Sequence, residues 1–483
     1  MVFSSTIFLF IFLPFVLLGY YLLNRPFRNI FLMLASLFFY AWGEPKFVFV
    51  MIGSLIVNYF AALLIDYFKK SSSHKAVEAV LVITVLLNLS LFFVFKYLNF
   101  TIKNINTVSQ FFGMTMQLPE THIILPIGIS FFTFQAMSYV FDVYYGYGEV
   151  QKNPLNVILY VSLFPQLIAG PIVRYQTVAN EIKTRQETLS DFSKGIERFI
   201  VGLAKKVIIA NTVAVAADTA YAALSNNTLT VGLSWIGAIA YGLQIYFDFS
   251  GYSDMAIGLG LMFGFHFLEN FDHPYMSKTI SEFWRRWHIS LGTWFRDYVY
   301  FPLGGSRVKS KRRLVLNLFV VWMLTGIWHG ANWTFVLWGF MYFTVIAAEK
   351  MTGLERKLEK SKTLSIIYRV LTLLIVLVGW VIFRAKNLSS GVAYLGAMFG
   401  NAPDGVWNNM TQFMLNEFAV IFGIAIICCF DWKRILSRCC KQLSESKPNL
   451  VFILRVAFFS VLALASISFN VISTYNPFIY FNF

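Results

Sequence analysis

Residues 314–348, LVLNLFVVWMLTGIWHGANWTFVLWGFMYFTVIAA, form a nearly unbroken apolar run with one histidine, His329, close to its middle. Basic residues bracket the run: Arg307, Lys309, Lys311, Arg312 and Arg313 before it, and the loop Lys350–Lys362 after it. The positive-inside rule places both ends in the cytoplasm. Two crossings of about 20 residues each plus a turn do not fit between them. The expectation is therefore a re-entrant hairpin whose arms of about 15 residues reach about 22 Å into the bilayer at 1.5 Å per residue. His329 sits near the apex, where Gly326 and Gly330 permit close backbone approach and a helix break. An ionisable group at membrane depth is costly, which makes His329 a functional candidate.

Upstream lies the densest polar cluster of the chain, Glu282–Arg307, EFWRRWHISLGTWFRDYVYFPLGGSR, with four arginines and a histidine among three tryptophans. Glu282–Tyr300 reads as one amphipathic helix. Trp284, Trp287, Leu291, Trp294 and Tyr298 recur at helical spacing and form an aromatic stripe suited to the membrane interface. Arg285 and Arg296 share another face, with His288 at the border. These arginines, with Arg286, suit either lipid phosphates or the phosphates of an activated donor.

Composition sets the class. The 483 residues are 58% hydrophobic, 18% aromatic and 13% charged, and apolar runs of spanning length recur from end to end: Thr6–Leu22, Phe47–Phe68, Val77–Phe95, Val207–Leu224, Leu364–Phe383 and Leu450–Ile472. The chain reads as an all-α polytopic membrane protein, with Met1–Leu22 kept as a first span, since it lacks a basic n-region and a cleavage site. The net charge of +15 reflects lysines and arginines gathered in loops on one side, so no nucleic-acid partner is expected.

The charges also predict a path through the bilayer. Arg25, Arg28, Lys69, Lys70 and Lys75 mark cytoplasmic turns, and Asn99–Glu120 forms an outer loop. Leu155–Ile172, interrupted by Pro165, Gly170 and Pro171, starts and ends beside cytoplasmic charge and reads as re-entrant. Lys205 and Lys206 hold the start of the next span inside, Trp235–Met262 returns, and Gly264–Arg313 is cytoplasmic or interfacial. Asn387–Asn416, free of Lys and Arg, is an outer segment. The pairs Cys428-Cys429 and Cys439-Cys440 have no metal-site spacing and read as packing residues.

Trp235–Met262 carries Gln244, Asp248, Ser250, Ser253 and Asp254. Two acids in one span either pair within the bundle or line a watery cavity. Gly260 and Gly264 have the spacing of a tight helix-packing pair. A neutral imidazole in an apolar setting suits general-base work at His329, with a structural histidine as the alternative. Walker, dinucleotide, HExxH and G-x-S-x-G signatures are missing.

At these residues the chain resembles the membrane-bound O-acyltransferase family, in its bacterial alginate O-acetyltransferase branch. The likeness runs almost end to end: MVFSSTIFLFIFLP at the start, Leu125–Gln135, Phe164–Pro171, Tyr246–Asp254, Glu282–Arg307, Trp328–Trp333 and the ending YNPFIYF. It implies a ring of about 10–12 transmembrane helices with re-entrant segments around a central funnel. The whole of 1–483 would be one acyltransferase domain with its core motifs in 125–333. The family's key histidine maps to His329, and its second functional position maps to His288, with Asp297 as the alternative. Arg285, Arg286, Arg296, Trp284 and Trp287 would bind the donor, and Asp248, Asp254, Asn332 and Trp333 would line the acceptor side.

The resemblance further implies no bound cofactor or metal. The donor would be acetyl-CoA or another acyl thioester, and the protein would lie in the bacterial cytoplasmic membrane beside an extracytoplasmic esterase-like partner that helps acetylate a polysaccharide. The branch that D-alanylates teichoic acids shares the Trp-Arg-Xaa-Trp-His and Trp-His-Gly patterns and is a competing reading. A transporter or flippase, suggested by buried acids and broken segments alone, is a third.

Overall fold

The computed structural model describes residues 1–114, 117–432, 434–435, 437, 445–472 and 478–479. Lys433, Cys439 and Cys440 lie outside the described residues. Helices and no strand occur among those described, and six helices are long and apolar enough to cross a membrane: Phe47–Lys70, His74–Phe111, Leu189–Ser225, Lys362–Arg384, Asn409–Cys428 and Pro448–Ile472. Backbone groups in hydrocarbon must be satisfied within their own segment, which is why apolar runs of this length become helices.

The chain divides into two compact units, one of Met1–Ile196 with Ala256–Leu268 and one of Glu197–Met255 with Glu269–Phe483. In the first, Phe47–Lys70 packs along His74–Phe92 and Ile129–Tyr145. Facing amides of Asn58 and Asn88 exchange hydrogen bonds of 3.0 Å there, so two polar side chains satisfy each other inside an apolar pair of helices. The segment expected to be re-entrant forms the short helices Pro154–Ser162 and Phe164–Leu167. At about 14 Å the longer of them is far too short to cross.

Several boundaries differ from expectation. Asn99–Phe111 continues the helix begun at His74 instead of forming an outer loop. Nothing in it breaks a helix until Gly113, whose φ of +68° ends the run. The expected outer segment 387–416 contains the helix Leu388–Met398, started by a capping box between Asn387 and Ser390. Gly264 does not join Gly260 on a packing face: the helix stops at Met262, and Gly264 has a φ of +78°.

The largest correction concerns Lys205 and Lys206, expected to hold the start of a span on the cytoplasmic side. They lie within the helix Leu189–Ser225. Lys206 is buried against Asp248 at 2.6 Å, and Lys205 reaches Asp254 at 2.6 Å, where Arg198 also binds. The two acids of the neighbouring helix are spaced to meet both lysines, so the charges are neutralised in place. Close approach of the two helices requires glycine: a Cβ on Gly202 would lie 2.5 Å from the Gly251 carbonyl oxygen, and one on Gly251 2.7 Å from that of Gly202.

Candidate active site

Residues 314–348 do form a helical hairpin, with arms Lys311–His329 and Trp333–Thr352. At 19 and 20 residues the arms measure about 28 and 30 Å, longer than the expected 22 Å. The first begins within the basic cluster and the second runs past Glu349 and Lys350, because Lys, Arg and Glu are good helix formers. The arms touch backbone to backbone. A Cβ on Gly326 would sit 2.5 Å from the Phe335 carbonyl oxygen, and one on Gly339 2.6 Å from that of Trp322.

Three residues, Gly330–Asn332, make the turn. Asn332 Oδ1 accepts the Thr334 N–H at 3.1 Å, and its amide donates to the Lys386 carbonyl at 2.8 Å. His329, the last residue of the first arm, is thereby fixed and is 5% exposed. Its ring centre lies 5.0 Å from those of Trp328 and Trp338 and 5.1 Å from that of Phe383, edge to face in each case.

The expected single helix Glu282–Tyr300 is broken at His288. Ile280–Arg286 and Ile289–Phe295 are separate short helices, and His288 between them takes a left-handed φ of +47°. Such a conformation costs a non-glycine residue about 1–3 kcal/mol and persists only where the surroundings enforce it. Here Asn270 enforces it. Its backbone oxygen accepts the Ile289 N–H at 3.0 Å, and its Oδ1 accepts from the Ser290 N–H at 3.1 Å and the Ser290 hydroxyl at 2.9 Å. A tertiary anchor has overridden the local periodicity.

The same anchor assigns the His288 tautomer. The Asn270 side-chain atom that takes the Ser290 N–H is an acceptor, so His288 Nδ1, 3.2 Å from it, carries the proton and donates. Nε2 then holds the lone pair of the neutral ring. Burial pushes the pKa of this imidazole down to about 3, which keeps it neutral.

The aromatic stripe is buried in protein rather than laid on an interface: Trp287, Leu291, Trp294 and Tyr298 are each less than a tenth exposed. Trp284 sits edge-on to Trp322, Trp338 and Tyr342 at 4.9–5.2 Å. Trp284, Trp287 and Trp322, with Leu291, wall a cavity of about 270 Å³ that both His288 and His329 line. Its wall is mainly apolar, with Arg285, Arg296 and Lys350 as its cations. Arg285 also pairs with Glu355 at 2.7 Å, both half-exposed, and the half-exposed Arg296 pairs with Asp297 at 2.8 Å.

The sequence-derived candidates therefore separate. His288, His329, Trp284, Trp287, Arg285 and Arg296 share the cavity wall. Arg286 turns to Glu282 at 3.0 Å and Asp272 at 3.4 Å. Asp297 holds Arg296, while Asp248 and Asp254 are occupied by the lysine and arginine pairs described above. Asn332 caps the hairpin's second arm, and Trp333 beside it is half exposed. Among the described residues, no group of three His, Cys, Asp or Glu side chains could hold a metal ion.

Two supporting residues escaped the sequence reading. Asn270 stands in a loop with no motif to mark it. Glu349 is 3% exposed, and its carboxylate accepts the Ile280 and Ser281 N–H groups at 2.8 Å each, clamping the N-terminus of the helix that carries Arg285. An acid at the end of an apolar arm was the available signal, but the charge rule assigns such a residue to solvent.

The family model for MBOAT, the membrane-bound O-acyltransferase family, matches residues 59–392. The chain is 40% identical, over the full length of both proteins, to a probable alginate O-acetylase AlgI of Pseudomonas putida. It is 36% identical to a peptidoglycan O-acetyltransferase of Helicobacter pylori, over 83% of this chain and 80% of that one. A teichoic acid D-alanyltransferase of Bacillus subtilis matches at 31% over 56% of this chain and 71% of its own. With a family match over most of its length and a relative 40% identical from end to end, this chain is a member of the membrane-bound O-acyltransferase family.

Proposed function

We propose that the protein is an O-acetyltransferase of the bacterial cytoplasmic membrane that takes acetyl from a cytoplasmic thioester and delivers it to an extracytoplasmic polysaccharide, with an extracytoplasmic esterase-like partner. The observation that carries this reading is one cavity in which two histidines, His288 and His329, meet Arg285, Arg296 and Lys350. The cations suit the phosphates of acetyl-CoA or a similar donor, and the apolar wall suits its acyl end. His329 acts as general base. It takes the proton of the acceptor hydroxyl as that oxygen attacks the thioester carbon. The C–S bond then breaks, and the thiolate leaves and regains a proton.

Both compact units act as one acyltransferase domain, because the family match runs through both. D-alanyl transfer is the weaker reading, since its relative aligns with only 56% of this chain. Transport as a primary role loses its support once the acids that suggested it are found in ion pairs. The test is the O-acetyl content of the surface polysaccharide in cells carrying His329→Ala at normal membrane abundance. A fall of about 10²–10⁴-fold in transfer is expected, and unchanged acetyl content overturns the reading.

A further inference from the structure

The first unit holds a separate, polar pocket of about 110 Å³ that has no place in acyl transfer. It is lined by Arg25 and Arg28 from the start of one helix and by Lys183, Arg185 and Glu187 from a segment more than 150 residues later. Four cations face one carboxylate, a surplus of three positive charges. Arg28 Nη1 lies 3.1 Å from Glu187 Oε1 and Arg185 Nε 3.9 Å from it. The side chains of Arg28, Arg185 and Glu187 are 16%, 6% and 8% exposed.

These arginines are held in place by the fold. Arg185 Nε donates to the Tyr20 hydroxyl at 3.0 Å, that hydroxyl donates to Glu187, and the Arg185 guanidinium lies 4.5 Å over the Phe265 ring. The Arg28 guanidinium lies 5.0 Å over Tyr20. Arg25 and Lys183 are exposed at the rim. The helix Arg25–Gly43 begins here with no side chain accepting its first N–H groups, and its dipole adds to the positive field.

The volume equals that of roughly three to four waters, enough for a phosphate group. Close to Arg25 and Arg28 in sequence, Leu18, Leu22, Phe27 and Ile30 are 40–76% exposed, which in a membrane protein is surface for acyl chains. All four cations fall on the cytoplasmic side by the charge rule. We propose that this pocket binds the phosphate of an anionic phospholipid headgroup from the cytoplasmic leaflet, with the acyl chains lying along Leu22, Phe27 and Ile30. The shared chemistry is a phosphate; the apolar flank favours a lipid over a free ion.

The test uses full-length protein, delipidated in detergent and followed by native mass spectrometry during titration with short-chain phosphatidylglycerol, short-chain phosphatidylcholine or inorganic phosphate. The variant is Arg25→Gln with Lys183→Gln, which alters only exposed rim residues. Wild type should retain phosphatidylglycerol over phosphatidylcholine. The double variant should bind phosphatidylglycerol roughly thirtyfold more weakly, two cations each contributing roughly a fivefold factor, with thermal unfolding in detergent alone unchanged. Equal retention of the two lipids, a preference that survives the double variant, or inorganic phosphate binding as tightly as phosphatidylglycerol would each overturn the proposal.

Discussion

Replacing Glu349 by Gln probes how the hairpin holds the rest of the site. Its carboxylate accepts two backbone N–H groups at 2.8 Å each, at the start of the helix Ile280–Arg286. Gln keeps the shape but removes the charge and turns an NH₂ group toward one of the two donors. A buried hydrogen bond to a charged group is worth about 1.5–3 kcal/mol, and a carboxylate at a helix N-terminus adds about 0.3–1 kcal/mol. The expected loss is then about 2–4 kcal/mol in the docking of this helix, which carries Arg285 and leads into His288. If turnover requires the docked helix, kcat/KM falls about 30- to 1,000-fold, at 1.36 kcal/mol per factor of ten. Steady-state acetyl transfer and thermal unfolding of purified protein measure both effects. Glu355→Gln, which removes a half-exposed partner of Arg285, is the control and should cost little. Wild-type activity and melting in Glu349→Gln would refute the reasoning.

Three further outcomes follow from the same packing. Gly339→Leu should separate the hairpin arms, since its Cβ would meet the Trp322 carbonyl oxygen at 2.6 Å. Overpacking of this kind costs about 1–3 kcal/mol, seen as a lower melting point with lost activity, while Gly53→Leu, with nothing within 4 Å, should be neutral. Replacing Arg285, Arg296 and Lys350 together by Gln should raise KM for acetyl-CoA about 10- to 100-fold with kcat little changed; an unchanged KM with a collapsed kcat would contradict a donor-binding role. Asp248→Asn should destabilise the protein by about 3–5 kcal/mol by leaving Lys206 buried without its carboxylate, whereas Asp248→Leu with Lys206→Met should cost less. Equal melting points for all three proteins would refute the pairing.

Much of the frame was legible because hydrocarbon leaves little choice. Long apolar runs must be helices, and flanking charge brackets the hairpin at 314–348 from both sides. The charge rule misled where charges had found partners inside the protein. Lys205 and Lys206 looked like a boundary because a single sequence does not show that Asp248 and Asp254 face them across two glycines. The break at His288 was illegible for a related reason. Helical periodicity through Trp284, Trp287 and Leu291 is genuine, but Asn270, eighteen residues upstream of His288, withdraws the backbone from it. In the site, the two histidines and the arginines stood out as costly residues in apolar surroundings. Asn270 and Glu349 act on backbone N–H groups, which carry no sequence signature.

The most direct test of the account is transfer across a sealed bilayer. Full-length protein is reconstituted in one orientation, with labelled acetyl-CoA on the face bearing Lys309 and a polysaccharide acceptor, with its partner protein, on the other. The account predicts labelled acetyl on the acceptor with wild type and a loss of about 10²–10⁴-fold with His329→Ala. Transfer only when donor and acceptor share one side, or undiminished transfer by the variant, would contradict it.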